Sequence, residues 1–281
     1  MWATSKDVYA LCVVVGSVSE PLGLYPVGLY YPERSGASFA PSRESGVLWM
    51  RGEAVSKIFE TAIGEDRGFL FEDEAKALCG LYGLPVTRIE VVEAEDDAVR
   101  VAERFGFPVV LKIVSPQVLH KSDVGGVLIN IRDAVGVRKG YKKIIENVKA
   151  RVLDAEITGI LVQEMAPDGT QVIVGSTKDP TFGSTIMFGL GGIFVEVLKD
   201  VSFRLVPITR GDAVEMVREI KAYKILEGVR GMPPADQETI LDILMRTSEM
   251  LVECPEIKEL DLNPILVYEK GAKIVDARVV L

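Results

Sequence analysis

The sequence is poor in the residues that usually announce a metal or redox centre. It has one histidine, His120, and three cysteines, Cys12, Cys79 and Cys254, far apart and without CxxC spacing. So sparse and odd a set gives no zinc framework and suits a reducing compartment. Long apolar runs are missing as well. No stretch reaches the ~18 residues that a membrane-spanning helix needs, so no membrane partner is expected. The run Val8 to Val15 is only long enough for a signal-peptide core. One lysine precedes it with an aspartate alongside, and no A-x-A site follows, so a cytoplasmic location is expected. Positive charge is also short: 32 basic against 41 acidic residues leave a formal charge of −9. That balance argues against nucleic acid as a partner, because non-specific affinity for it comes from clustered Lys and Arg. It leaves room for a small anion in a local basic pocket.

What is present is typical of a globular protein. The chain has 281 residues, 48% hydrophobic and 26% charged, enough for one large domain or two of ordinary size. Composition changes near residue 50. Both tryptophans (Trp2, Trp49) and four of the eight tyrosines precede it, and Ser19 to Ser45 is rich in Gly, Pro and Ser without a period of 2 or 3.6. Residues 1–49 therefore read as an irregular extension, loose or preceding a true start at Met50. Beyond it, helical patterns (52–67, 72–82, 95–105, 134–149, 211–220, 236–252) interleave with strand patterns (86–92, 108–114, 128–131, 157–165, 171–176, 202–206, 257–267, 273–280). A Gly-rich turn at 189–192 leads into a short helix. Short turns such as Met165 to Gln171 and Val267 to Lys273 predict antiparallel hairpins, so the fold class is α+β.

Three segments carry candidate chemistry. In the first, Lys112 ends an apolar strand, and a polar loop with His120, Lys121, Ser122 and Asp123 runs into Gly125-Gly126. Glycines there let backbone N–H groups approach phosphate oxygens; the plain alternative is an exposed histidine beside a turn. The second is Phe188-Gly-Leu-Gly-Gly-Ile-Phe-Val-Glu196, whose N–H groups would meet an anion at a helix start or merely form a tight turn. It lacks the GxGxxG pattern of a dinucleotide fold. The third is Asp261-Leu262-Asn263-Pro264. Asp261 and Asn263 fall on one face of a strand, and a carboxylate beside an amide oxygen suits Mg²⁺ near phosphates. Asp276 on the next strand completes the set, unless the strand is simply an edge with its polar residues outward.

Together these runs, with Gly106-Phe-Pro-Val-Val-Leu-Lys112, Leu161-Val-Gln-Glu-Met165, Asp179-Pro-Thr-Phe-Gly183, Asp200 to Arg204 and Pro207, resemble a known family. From about Met50 onward the chain is similar to the β subunit of ADP-forming acyl-CoA (acetyl-CoA) synthetase, an ATP-grasp protein related to the succinyl-CoA synthetase β subunit. The resemblance implies two α+β subdomains gripping a nucleotide. Residues 50–105 would supply N-terminal helices and a strand, 106–163 the grasping lid, and 164–281 a C-terminal subdomain with the metal site. It implies that Lys112 contacts the phosphates of ATP or ADP, and that Glu164 and Met165 hold the adenine at a hinge. Ser122, Gly125, Gly126, Gly191, Gly192 and Glu196 would line the phosphate path. Arg204 would steady a phosphoryl group, and Asp261, Asn263 and Asp276 would bind Mg²⁺. His120 would accept phosphate from a phosphohistidine loop of a CoA-binding α subunit in an α2β2 heterotetramer and pass it to ADP. A succinyl-CoA synthetase-like subunit and a nucleotide-binding regulatory module without turnover are the alternatives.

Overall fold

In the computed structural model, residues 43–118, 120–191, 199–229 and 233–281 are described. They form α1 (Arg43–Gly64), β1 (Phe69–Leu70), α2 (Glu72–Leu81), β2 (Ile89–Val92), α3 (Glu95–Phe105), β3 (Val109–Val114), β4 (Val127–Ile131), α4 (Ala134–Arg151) and β5 (Gly159–Glu164). Then follow β6 (Thr170–Asp179), β7 (Gly183–Leu190), β8 (Val201–Leu205), α5 (Arg210–Glu219), α6 (Gln237–Glu253), β9 (Glu259–Val267), β10 (Ala272–Ile274) and β11 (Ala277–Val280). Two sheets result, with every pairing between these strands antiparallel. The larger has the order β1-β11-β9-β6-β7-β8, with β10 also on β9; the smaller has the order β2-β5-β3-β4.

Each sheet buries one face under helices, as strand alternation requires when a single face meets the core. Leu78, Phe188, Met216, Leu244, Leu260 and Leu262 belong to the core of the larger sheet with α1, α2, α5 and α6. Ala102, Leu111, Ile144, Ile160 and Val162 belong to that of the smaller sheet with α3 and α4. Side chains set the helix starts. Asp133 accepts the Gly136 amide, Thr209 and Asp212 cap each other's backbone, and Asp236 accepts from the amides of both Thr239 and Gly271. Such caps satisfy amides that the first helical turn leaves unpaired.

The α+β expectation holds, with three differences. The first helix begins at Arg43, so residues 43–49 are helical and not part of an irregular segment; the rest of the expected extension, 1–42, lies outside the described residues. Gly189 and Leu190 end strand β7, where Gly189 pairs with Ile173 and Val201. That strand escapes sequence reading because its last five residues are all buried, which erases the alternation. Finally, β2 and α3 belong with the smaller sheet, so its core runs from Val92 to Val162 and includes residues expected in the N-terminal part.

Leu111 is fully buried in the core that the smaller sheet shares with α3 and α4, and precedes Lys112 on β3. Leu111→Ala is expected to lower unfolding free energy by about 2–5 kcal/mol, read as an earlier urea midpoint.

Candidate active site

Helix α2 places Glu72 and Lys76 one turn apart on its buried side, on the same stripe as Ala75 and Cys79. The Glu72 carboxylate collects three lysines: Lys112 at 2.5 Å, Lys76 at 3.0 Å and Lys121 at 3.3 Å. Lys112 bonds in addition to Asp276 at 2.7 Å. Lys76 donates to the Thr87 hydroxyl, the Gln163 side-chain oxygen and the Val275 carbonyl. Lys112 and Gln163 come from the smaller sheet, on the face opposite Leu111. Glu72, Asp276 and Val275 come from the larger half. The cluster therefore joins the two halves through charge.

Burial alone would raise the Glu72 carboxyl, but Lys112, Lys76 and Lys121 hold it well below the usual range. Burial pushes Lys76 down to about 8 in spite of Glu72. For Lys112 burial acts downward too, but Asp276 and Glu72 outweigh it and the ammonium is held above its usual value. Asp276 is shifted upward, first by loss of solvent around its carboxyl and then by Glu72, with Lys112 opposing.

Next to this cluster lie the expected metal ligands. Cross-strand register sets Asp261 opposite Arg278 and Leu262 opposite Ala277, and the Asn263 amide donates to the Asp276 carbonyl. Alternation then puts Asp261 and Asn263 on the face away from Leu260 and Leu262, with Asp276 level with Asn263. The strand is interior, between β11 and β6, and not an edge. One oxygen of Asp261, Oδ1, is buried without a hydrogen-bond partner. Burial first, and Asp276 second, push this carboxyl up to about 7. An orphaned oxygen beside a second carboxylate and an amide is a donor set that fits a hard divalent cation.

His120 is exposed on the loop between β3 and β4. Its neighbour Lys121 reaches Glu72, and two α4 side chains grip the loop's far end: Asn147 donates to the Gly125 carbonyl and Arg151 to that of Val124. The two glycines do not present free amides. Gly125 N–H donates to the Ser122 carbonyl and Gly126 N–H to that of Lys121. Gly125 has φ +68°, and a Cβ on Gly126 would lie 2.6 Å from Ile113. They shape the loop so that Lys121 can face inward.

The remaining expected residues sit apart. Glu164 lies opposite Val109, on the helix-covered side of the smaller sheet, and accepts from the Arg88 backbone, the Arg88 side chain and Lys273. Burial works against those bonds, but the carboxyl is still held down at about 2. The Met165 amide donates to the Pro108 carbonyl and ties the crossing between the sheets. Arg204 pairs with Glu219 and Glu215 of α5. It lies opposite core residue Ile186, on the face away from Asp261, so the structure does not bring it to the lysine–carboxylate cluster. The Gly191 amide donates to the Gln171 carbonyl; Gly192 and Glu196 lie outside the described residues.

A model of the ATP-grasp domain matches residues 61–281. The β subunit of acetate–CoA ligase (ADP-forming) I from Pyrococcus furiosus is 51% identical over 225 residues, which are 80% of this chain and 97% of that one. The chain belongs to the ATP-grasp family of ADP-forming acyl-CoA synthetase β subunits. A family member of known structure, an acetyl-coenzyme A synthetase 1 from Ca. Korarchaeum cryptofilum solved with coenzyme A and Ca-AMPCP, is 54% identical. It superposes with a TM-score of 0.79 over 80% of this chain and 98% of that chain. Acetate–CoA ligase (ADP-forming) I of Archaeoglobus fulgidus is 48% identical over 82% of this chain, which spans only 33% of that relative.

Glu72 and Lys76 are the members of this charged cluster that reading by motif passes over. A usable signal was present: Glu72 and Lys76 fall on the apolar stripe of an amphipathic helix, where a charge needs a partner.

The raised Asp261 carboxyl has a testable sign. Its native proton is kept up to about pH 7 while the unfolded chain releases it near its ordinary value, so this group's contribution to stability falls as pH rises between the two. In EDTA, the wild type is expected to lose up to about 1.4 kcal/mol per pH unit from this source between pH 5 and 7. Asp261→Asn should lack that slope and be the more stable protein at pH 8. Parallel urea midpoints for both proteins across that range would refute the shift.

Proposed function

We propose that the chain is the nucleotide-binding β subunit of an ADP-forming acyl-CoA synthetase, converting acyl-CoA, ADP and phosphate to carboxylate, CoA and ATP. The observation that carries this reading is the ion pair tying Lys121, the residue after the only histidine, to the carboxylate that also holds Lys112. A neutral imidazole nitrogen accepts a phosphoryl group readily and gives it up readily. In the step assigned here, the N–P bond of phosphorylated His120 breaks and an O–P bond forms to the terminal phosphate of ADP. The imidazole nitrogen keeps the bonding pair and takes one proton from solvent.

The chain's own work in that step is positioning and charge compensation. Lys112 leaves Asp276 for the nucleotide phosphates, and Glu72 keeps it aimed. Asp261, Asn263 and Asp276 would hold Mg²⁺, which supplies neutralisation of phosphate charge when bound. Glu164 and Met165, at the crossing between the sheets, are assigned to the adenine end, and Ser122 of the His120 loop to the phosphate path. Gly191 is assigned to the wall of that path, since its amide is already used, and Arg204 receives no role in transfer.

Acyl-CoA chemistry is assigned to a CoA-binding α subunit, with an α2β2 assembly as the working form. In the Archaeoglobus relative, two thirds of the polypeptide lies outside the match. Another Korarchaeum structure, 50% identical, has a phosphohistidine segment pointing towards the nucleotide-binding site.

The test runs in reverse on this subunit alone. With Mg²⁺ and ATP labelled on the γ-phosphate, the wild type should acquire acid-labile phosphate on His120, and adding ADP should remove it. His120→Ala should take no label while ADP affinity stays within about threefold, because the imidazole contributes transfer and little binding. Label on another residue, or none on the wild type, would count against the reading. Asp261→Asn should raise the Mg²⁺ needed for half-maximal labelling by roughly tenfold or more.

A further inference from the structure

We propose that Glu72 is a positioning residue that fastens the His120 loop across the two halves of the molecule by holding Lys121 and Lys112 on one carboxylate. The proposal rests on the transfer role assigned above to His120. Its structural part stands separately.

Four observations carry it. Among the described residues, the side-chain hydrogen bonds and ion pairs of the loop are of two kinds. Gln117, Asn147 and Arg151 make theirs within the lid, and the ion pair from Lys121 to Glu72 alone reaches the larger half. Glu72 is the most enclosed member of the cluster's carboxylates, with 3% of its side chain accessible against 43% for Asp276. It is also held rigidly: it opens α2, whose first-turn neighbour Glu74 is locked by a two-pronged pair with Arg67. The loop transmits that hold over a short path. The Lys121 carbonyl accepts the Gly126 amide at 2.7 Å, and the His120 carbonyl accepts the Asp123 amide, so anchoring Lys121 fixes the backbone that follows the histidine.

Lys112 is therefore free to exchange Asp276 for a phosphate without losing its second carboxylate, and the loop stays in register while it does so. Lys121 is the more dispensable arm, since 23% of its side chain is accessible and the charges of Lys76, Lys112, Glu72 and Asp276 balance without it.

The experiment compares Lys121→Met, Lys121→Arg and Glu72→Gln in the full chain. Amide hydrogen exchange is measured without nucleotide, and His120 labelling from ATP with Mg²⁺. Lys121→Met is expected to speed exchange in residues 120–126 by about tenfold, with core amides unchanged. The labelling rate should fall by about tenfold or more while KM for ATP moves less than about threefold. Lys121→Arg should restore both readouts, because a guanidinium can span to Glu72. Glu72→Gln should repeat the Lys121→Met pattern in the loop; if that variant does not fold, the lysine pair decides. Unchanged loop exchange in Lys121→Met overturns the tether. Faster exchange with an unchanged labelling rate, or a loss confined to KM, overturns the positioning role. A wild type that takes no label defeats the transfer reading instead, and the exchange comparison then decides the tether alone.

Discussion

A single buried carboxylate surrounded by three ammonium groups is the constraint around which the molecule is arranged. Taking such charges out of water costs several kcal/mol per ion, and only close geometry with full hydrogen bonding offsets that. Glu72 and Lys76 meet the condition: Lys76 has four partners drawn from α2, the segment before β2, strand β5 and the junction before β11. Removing one member leaves the others charged, buried and short of a partner, which is why the cluster holds the two sheets in one relation. Apolar cores stabilise each half; the charged seam determines how the halves meet.

The crossing between the sheets repeats this logic at the surface. Glu164 ends β5 and is gripped by Arg88, whose guanidinium also lies 5.1 Å above the Phe105 ring, and by Lys273 from the β10 strand. Its carboxylate stays ionised at any ordinary pH, so the clasp does not loosen near neutrality. Exposed pairs of this kind contribute little to stability. Their value here is geometric, since three chain segments share one acceptor.

Much of this was legible in the sequence, and the reasons for what was not are physical. Strong local signals gave correct elements: the acidic first turn and Gly106 stop frame α3, and continuous apolar residues mark β3. The alternation of Asp261 and Asn263 against Leu260 and Leu262 was read correctly in direction, because period 2 needs no knowledge of partners. Strand β7 was hidden by burial on both faces and by glycines that look like turn formers. The glycines at 125 and 126 were legible as special but not in their use, since whether an amide meets a ligand or its own loop depends on the fold of that loop. Arg204 shows the same limit: a residue's presence in a motif says nothing about which face of a strand it occupies, and two glutamates of α5 take it to the helix side. Glu72 and Lys76 were not legible as a site because their stripe resembles that of any amphipathic helix until the fold brings in their partners.

The capture of Lys112 by Glu72 and Asp276 bears on which anions the cleft admits. A bare sulfate or phosphate ion would have to draw that ammonium off Asp276 and leave Asp276 and Asp261 side by side without it. For an anion already paired with a divalent cation the exchange would cost less, since Asp276 and Asp261 would have the cation to face while Lys112 turns to the phosphate. On the nucleotide-binding reading proposed above, the resting ion pairs would discriminate by composition rather than by shape, and the overall charge of −9 would work in the same direction against simple anions.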